Sequence, residues 1–279
     1  MRGLRGTLAW PTSRGDRGNR LWIGGLLLLR LSLVVPWFHA SELWTWAVFP
    51  TLTYLATLYL LLLNRGDLAR YRIDRLAYLV ICFAGPFQFI FCLKSQQKLP
   101  AIVAGSVSTA AAIAFTVTAF RYRLVPSGGT RKELVSIPFG IAAGLAIAIV
   151  LNAPAILHLQ PTGSGESFAR LLLGIAAAFS VQLFTAGPLE EPLFRGYVLG
   201  ELERLRLKPL AAVAIQAALF TLAHLYFFPR PELYLLAPVC GMVFGVLALA
   251  RSSISASMFA HATVNASIYT LVPLIASVM

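Results

Sequence analysis

One polar stretch stands out in the C-terminal half of this chain, and it reads Gly187-Pro188-Leu189-Glu190-Glu191-Pro192-Leu193-Phe194-Arg195-Gly196-Tyr197. It places two carboxylates and a guanidinium within an otherwise apolar run. A charge at the centre of a bilayer costs about 2.5–3.5 kcal/mol on insertion scales, so charges there usually mark function. Glu191 and Arg195 are four residues apart and would face each other on a helix as an ion pair. Glu190 would point about 100° away, and we predict that it lacks a partner and is free for chemistry.

The composition predicts an integral membrane protein. The chain has 279 residues, of which 58% are hydrophobic and 12% are charged, and its mean hydropathy is +0.76. Soluble domains carry about 25% charged residues, whereas repeated apolar runs of about 17–25 residues are typical of membrane-spanning helices. We therefore predict an all-α fold, a polytopic transmembrane helical bundle with about eight or nine spans and its polar groups near mid-membrane.

The net charge of +12 does not indicate a nucleic-acid partner, because the arginines and lysines lie mainly in short connections, as they do in cytoplasmic loops. The lipid bilayer is the expected partner. The distribution of arginine and lysine predicts a cytoplasmic N-terminus. We expect the protein to lie in the inner membrane of a bacterial cell. The predicted spans are 21–39, 43–63, 76–93, 100–120, 134–157, 169–199 (broken), 209–228, 233–250 and 252–276.

The chain divides into three parts. Residues 1–20 form a basic tail, which we predict to be disordered on the cytoplasmic side, and residues 21–123 form a four-span bundle. Residues 134–279 form a core that holds every candidate for chemistry. The boundary loop, residues 121–133, contains helix-breaking proline and glycine residues.

Two further predictions concern the break in the sixth span and a lone arginine in the first. Gly187-Pro188 should break or restart the sixth helix, which would put Glu190 and Glu191 in the first turn of the new segment, where the helix dipole stabilises acids. Arg30 lies alone in the first predicted span. It would snorkel or pair, and the sequence assigns it no function.

Two further polar pairs lie within later spans. Phe220 and His224 are four residues apart, as are His261 and Asn265. Counted from the cytoplasmic charges at about 1.5 Å per helical residue, both pairs lie at a depth similar to that of Glu190. Three helices are therefore predicted to present polar groups at one level of the membrane.

These residue types suit hydrolysis. A carboxylate beside an imidazole can take a proton from water and pass it to a leaving amine. A histidine N–H and an asparagine amide can hold the oxyanion of a tetrahedral intermediate. Glu190, His224 and His261 would also suffice as zinc ligands, so zinc stays open as an alternative to a site without a cofactor.

The three motifs together resemble the CPBP family, the CAAX protease and bacteriocin-processing (Abi) family, which includes type II CAAX prenyl endopeptidases. They are E-E-x-x-x-R from Glu190, F-x-x-x-H from Phe220 and H-x-x-x-N from His261, and the resemblance covers about residues 134–279. It implies a metal-free glutamic endopeptidase of the membrane.

In such an enzyme Glu190 and His224 would activate water, and His261 and Asn265 would form the oxyanion site. Glu191 and Arg195 would be structural, with Phe220 in a supporting role. The expected partner is a membrane-associated or lipidated peptide or protein substrate, and the oligomeric state is left open. Two alternatives remain. One is a non-catalytic membrane scaffold or immunity protein, and the other is an ion- or proton-coupled transporter, in which midplane Glu and His would act as relays.

Overall fold

The structure is a computed structural model, and it describes residues 14–126, 130–158, 168–225 and 233–268, together with residues 270, 271 and 275. Across these residues the chain is helical, without a β-strand. The α-helices are α1 (Arg14–Leu31), α2 (Pro36–His39), α3 (Phe49–Leu63), α4 (Arg75–Cys82), α5 (Gly85–Cys92), α6 (Lys98–Arg121), α7 (Thr130–Leu157), α8 (Phe168–Phe184), α9 (Ala186–Glu191), α10 (Leu199–Arg204), α11 (Pro209–Leu222), α12 (Leu233–Arg251) and α13 (Ser255–Ser267). A 3₁₀ turn at Ser32–Val34 and π-helical turns at Trp44–Val48 and Pro192–Val198 connect some of them.

The helical segments confirm an all-α membrane protein, but they do not confirm eight or nine spans. Within the described residues, five segments are long and apolar enough to cross a membrane: Trp44–Leu63, Lys98–Arg121, Glu133–Leu157, Phe168–Arg204 and Tyr234–Arg251. The predicted span 76–93 is a pair of short helices, α4 and α5, bent by 47°, which would make a sixth span. Two further predicted spans correspond to shorter helices, α11 with 14 residues and α13 with 13.

The N-terminal tail is shorter than predicted. Helix α1 begins at Arg14, so residues 14–20 are helical rather than disordered, while residues 1–13 lie outside the described part. This first stretch of α1 is held by side-chain hydrogen bonds. The Asn19 amide donates to the Tyr71 hydroxyl at 2.7 Å, and the Asn64 amide donates to Asn19 Oδ1 at 2.8 Å. Tertiary contacts therefore order a segment whose composition alone favours disorder.

The predicted cytoplasmic connections meet at one end of the bundle. Arg70 donates to Glu201 at 3.0 Å, and Arg72 forms an ion pair with Glu203. The Tyr71 hydroxyl also donates to Glu201 at 3.0 Å. Burial and the neighbouring Glu201 carboxylate raise the pKa of Tyr71 above its usual value, so the phenol stays protonated as a donor. Which side of the membrane this end faces remains a prediction.

Helix α13 is fixed at its start by Asp74. The Asp74 carboxylate caps α4 by accepting from the Ala77 amide at 2.8 Å, and it also accepts from the hydroxyls of Ser253 and Ser255. Carboxylate caps of this kind satisfy amides that the first helical turn leaves unpaired. One acid therefore ties the beginning of α4 to the beginning of α13.

Helix α7 packs closely against α13 through glycine. A Cβ atom at Gly144 would lie 2.6 Å from the carbonyl oxygen of Ala260 and 2.6 Å from Thr263 Cβ. Any side chain at this position would clash with the backbone of α13. This close approach leaves α13 buried along its length, and α13 carries His261 and Asn265.

The hydrophobic core does not stop at the predicted boundary loop. Tyr54 and Ile81, from the predicted four-span bundle, share one buried cluster with Phe194, Phe244 and Met258 from the C-terminal core. The three-part division stays a prediction. The shared core shows that the first helices pack against the part of the chain that carries the polar motifs.

Candidate active site

The sixth predicted span does break beside Gly187-Pro188. Thr185, with φ −113° and ψ −74°, separates α8 from α9. Helix α9 then begins at Ala186, so Glu190 and Glu191 lie in its second turn rather than its first. Proline is tolerated in a first turn because those amides have no intrahelical partner, and the helix therefore restarts ahead of Pro188. The predicted stabilisation of both acids by the helix dipole is wrong for this reason.

A π-helical turn follows the two glutamates. It spans Pro192–Val198 and contains Arg195. A proline removes one backbone donor and clashes with the preceding turn of an α-helix, which fits the wider winding that starts at Pro192. Single π-helical turns occur frequently at functional sites.

Glu191 and Arg195 form the ion pair that their spacing predicts. Arg195 Nη1 donates to Glu191 Oε1 at 3.0 Å, and both side chains are fully buried. The Arg195 guanidinium also lies over the rings of Phe220, at 4.1 Å, and Phe244, at 5.1 Å. Its environment is therefore an aromatic box with one carboxylate.

Glu190 is not unpaired, and the prediction that it lacks a partner is wrong. Arg30 on α1 forms an ion pair with Glu190 Oε1, and both side chains are at most 9% exposed. The other oxygen, Oε2, is buried and accepts no hydrogen bond from the described residues. The two oxygens of one carboxylate therefore have different environments.

His224 lies just past the end of its helix. Helix α11 ends at Leu222, so the predicted span 209–228 is too long, although residues 226–228 lie outside the described part. His224 Nδ1 lies 2.7 Å from the carbonyl oxygen of Phe220. Because a carbonyl only accepts, Nδ1 carries a proton, and in neutral His224 the Nε2 atom is an acceptor. That Nε2 lies 3.4 Å from Glu190 Oε2 and 3.5 Å from Arg30 Nη2.

His261 joins the two glutamates. Its Nδ1 lies 2.8 Å from Glu191 Oε1, and its Nε2 lies 3.9 Å from Glu190 Oε2. Glu191 Oε1 already accepts from Arg195, so it acts as an acceptor here as well and His261 Nδ1 is the donor. Neutral His261 consequently presents an acceptor to the site. It can donate from Nε2 only when it carries a second proton.

Asn265 lies one turn after His261 on α13. Its Nδ2 donates to Gln182 Oε1 on α8 at 3.0 Å. An amide nitrogen has two hydrogens, so one remains for another acceptor. The structure thus brings Glu190, His224 and His261 together. Asn265, one turn after His261, contacts Gln182, a residue that the sequence did not suggest.

The zinc alternative does not fit this arrangement. Among the described residues, no group of three His, Cys, Asp or Glu side chains is arranged to hold a metal ion. Arg30 also places a cation on one oxygen of Glu190, which a zinc site would need as a ligand. We derive no chemical step through a metal.

Sequence reasoning missed Arg30 as part of this site, although a signal was present. Arg30 is the only Arg, Lys, Asp or Glu in the predicted span 21–39. A buried charge without a partner is strongly unfavourable, and of the two neighbouring glutamates in the polar stretch only Glu190 had no assigned partner. Matching the two lone charges would have predicted the contact.

The fold and the site define a polytopic helical membrane protein with a buried glutamate–histidine cluster. Residues 171–267 match the family model of type II CAAX prenyl endopeptidase Rce1-like proteins. This match supports the assignment of the chain as a CPBP, or CAAX protease-like, protein and implies a peptidase. The match contains Glu190, His224, His261 and Asn265, while Arg30 lies outside it. No curated protein and no solved structure matches the chain.

Proposed function

We propose that this protein is an intramembrane endopeptidase that hydrolyses a peptide bond of a membrane-associated or lipidated substrate. The observation that carries the proposal is the environment of Glu190 Oε2. This buried oxygen has no hydrogen-bond donor among the described residues and lies 3.4 Å from His224 Nε2 and 3.9 Å from His261 Nε2. A water molecule bound there would sit between a carboxylate and two imidazoles.

In the proposed reaction Glu190 is the general base, assisted by His224. The water oxygen attacks the carbonyl carbon of the scissile bond as one water proton passes to Glu190 Oε2. Collapse of the tetrahedral intermediate breaks the C–N bond, and the same proton passes to the leaving nitrogen, directly or through His224. The products are an amine and a carboxylic acid, which ionises.

His261 and Asn265 are proposed to stabilise the oxyanion. Asn265 keeps an amide hydrogen beyond the one it donates to Gln182. His261 would donate from Nε2 as an imidazolium, whose charge the Glu191 carboxylate offsets at 2.8 Å. Arg195 in turn donates to Glu191, and Glu191 accepts from His261. The proposed role of Arg195 is therefore structural, because it acts on His261 only through Glu191.

The localisation belongs to the same proposal. We place the protein in the inner membrane of a bacterial cell with a cytoplasmic N-terminus, on the basis of the charge distribution of its connections. The substrate then reaches the site from within or beside the bilayer.

The test compares the membrane proteome of wild-type cells with that of cells carrying Glu190→Gln, which preserves the shape of the side chain and removes the base. A matched control is Glu203→Gln, since Glu203 pairs with Arg72 at the end of the bundle. We expect an uncleaved membrane protein to accumulate only in the Glu190→Gln strain, and purified wild-type protein to cleave it. Cleavage by purified Glu190→Gln at the wild-type rate would refute the proposal. A scaffold or a transporter predicts no accumulating precursor in either strain.

A further inference from the structure

Arg30 is a charged side chain that α1 brings into the buried cluster. It is 4% exposed, and its Nη2 forms an ion pair with Glu190 Oε1 while lying 3.5 Å from His224 Nε2. The guanidinium also lies over the ring of Phe49, at 5.3 Å. It therefore contacts both residues to which the proposed function assigns water activation.

A purely structural link is the competing explanation. Removing two charges from water can outweigh their attraction, so a buried ion pair is weak evidence for stability, and apolar residues often hold helices together as well or better. Helix α1 already has an ion pair with the C-terminal part at its exposed end, where Arg20 Nε lies 3.3 Å from Glu201 Oε2. A buried cation on the proposed base is better explained by a role in the chemistry.

The two oxygens of Glu190 show what that role can be. Arg30 engages Oε1, and this leaves Oε2 as the oxygen that faces the two imidazoles. A guanidinium is permanently charged and donates in a fixed geometry. It can therefore hold the carboxylate in one orientation and balance its charge in an apolar surrounding.

We propose that Arg30 is a positioning residue of the active site, which acts through Glu190 by holding Oε1 so that Oε2 takes the proton of the attacking water. This inference rests on the proposed function. It makes α1, outside residues 171–267, a part of the catalytic unit. The core predicted at 134–279 would then be incomplete without the N-terminal helices.

The experiment uses the purified full chain in lipid nanodiscs. Its substrate is the membrane protein that accumulates uncleaved in the Glu190→Gln strain. Arg30→Met, Arg30→Lys and the control Arg20→Met are compared by kcat, KM and the folded fraction. General-base catalysis contributes about 10²–10⁴-fold, so we expect Arg30→Met to lower kcat at least about 10²-fold with KM nearly unchanged. Arg30→Lys should fall between Arg30→Met and wild type, because it restores the charge without the guanidinium geometry. Arg20→Met should behave as wild type.

Two outcomes would overturn the inference: a folded Arg30→Met protein whose kcat is within about threefold of wild type, or an Arg30→Lys protein no more active than Arg30→Met. If Arg30→Met does not fold, Arg30→Lys decides alone. A lowered kcat at unchanged KM then supports the role, and a wild-type kcat contradicts it. The absence of an uncleaved precursor in the Glu190→Gln strain, or its cleavage by purified Glu190→Gln at the wild-type rate, would instead refute the proposed function, so the two failures are distinguishable.

Discussion

Replacement of Arg195 by methionine should destabilise the protein more than any single surface change. Both Arg195 and Glu191 are fully buried and are joined at 3.0 Å. Removing one partner of such a pair leaves an uncompensated charge and costs about 3–5 kcal/mol. The ring of Phe220, 4.1 Å from the guanidinium, adds a cation–π interaction of about 2 kcal/mol in a desolvated setting. We expect a loss of at least about 3 kcal/mol in the free energy of unfolding.

The effects of changing Glu191 and Arg195 on the free energy of unfolding should be strongly coupled. Glu191→Gln alone also leaves a buried charge, whereas the double variant Glu191→Gln/Arg195→Met removes both. The double variant should therefore lose less than the sum of the two single losses, with a coupling energy of about 2–3 kcal/mol. His261 still donates to the residue at 191, which limits the recovery.

The assay is reversible unfolding in mixed detergent micelles, followed by the loss of helical circular dichroism. Arg20→Met is the control, because the Arg20 side chain is 51% exposed and its ion pair with Glu201 should contribute only about 0–1 kcal/mol. If Arg195→Met costs no more than Arg20→Met, or if the two single losses simply add, the buried pair does not stabilise the protein.

Three other predictions test the fold, its orientation and its chemistry. Gly144→Ala should cost about 1–3 kcal/mol by overpacking α7 against α13, and it should lower activity. Gly174→Ala, in open space on α8, should change neither, and equal melting temperatures for the two variants would contradict the packing. A cysteine at Arg65 should react with a membrane-impermeant maleimide from the cytoplasmic side and one at Gln96 from the other side. The three native cysteines are buried, and reversed labelling would overturn the orientation. Cleavage should survive exhaustive chelation, while loss of Asn265 should lower kcat by about 10²–10³-fold. Activity lost on chelation and restored by zinc would instead make His261 a metal ligand.

The predicted contacts that are present in the structure are those between neighbours on one helical turn. Glu191 and Arg195 are four residues apart and pair as expected. Phe220 and His224 are also four apart, and their rings lie 4.2 Å from each other, even though the helix ends between them. A spacing of four residues specifies a contact almost independently of the rest of the chain.

The predicted count of eight or nine spans is not confirmed, because local hydropathy does not record where a helix bends or ends. The apolar run 76–93 is one predicted span, but it forms two helices bent by 47°. The segment 209–228 contains no Asp, Glu, Lys or Arg, yet its helix ends at Leu222. The start of α1 was missed for the opposite reason, because contacts of Asn19 with Tyr71 and Asn64 order a polar segment.

The sequence by itself determined the all-helical membrane class and two local contacts, Glu191 with Arg195 and Phe220 with His224. Composition and helical spacing are properties of short segments. Only the tertiary structure decided which residue neutralises Glu190. Arg30 is 160 positions away in the chain, and the spacing of residues along a helix cannot predict a contact of that separation. It likewise decided that His261, 70 positions from Glu191, donates to that residue. Glu190 meets Arg30 because α1 packs against the broken helix, and Glu191 meets His261 because α13 does. That packing depends on the whole hydrophobic core.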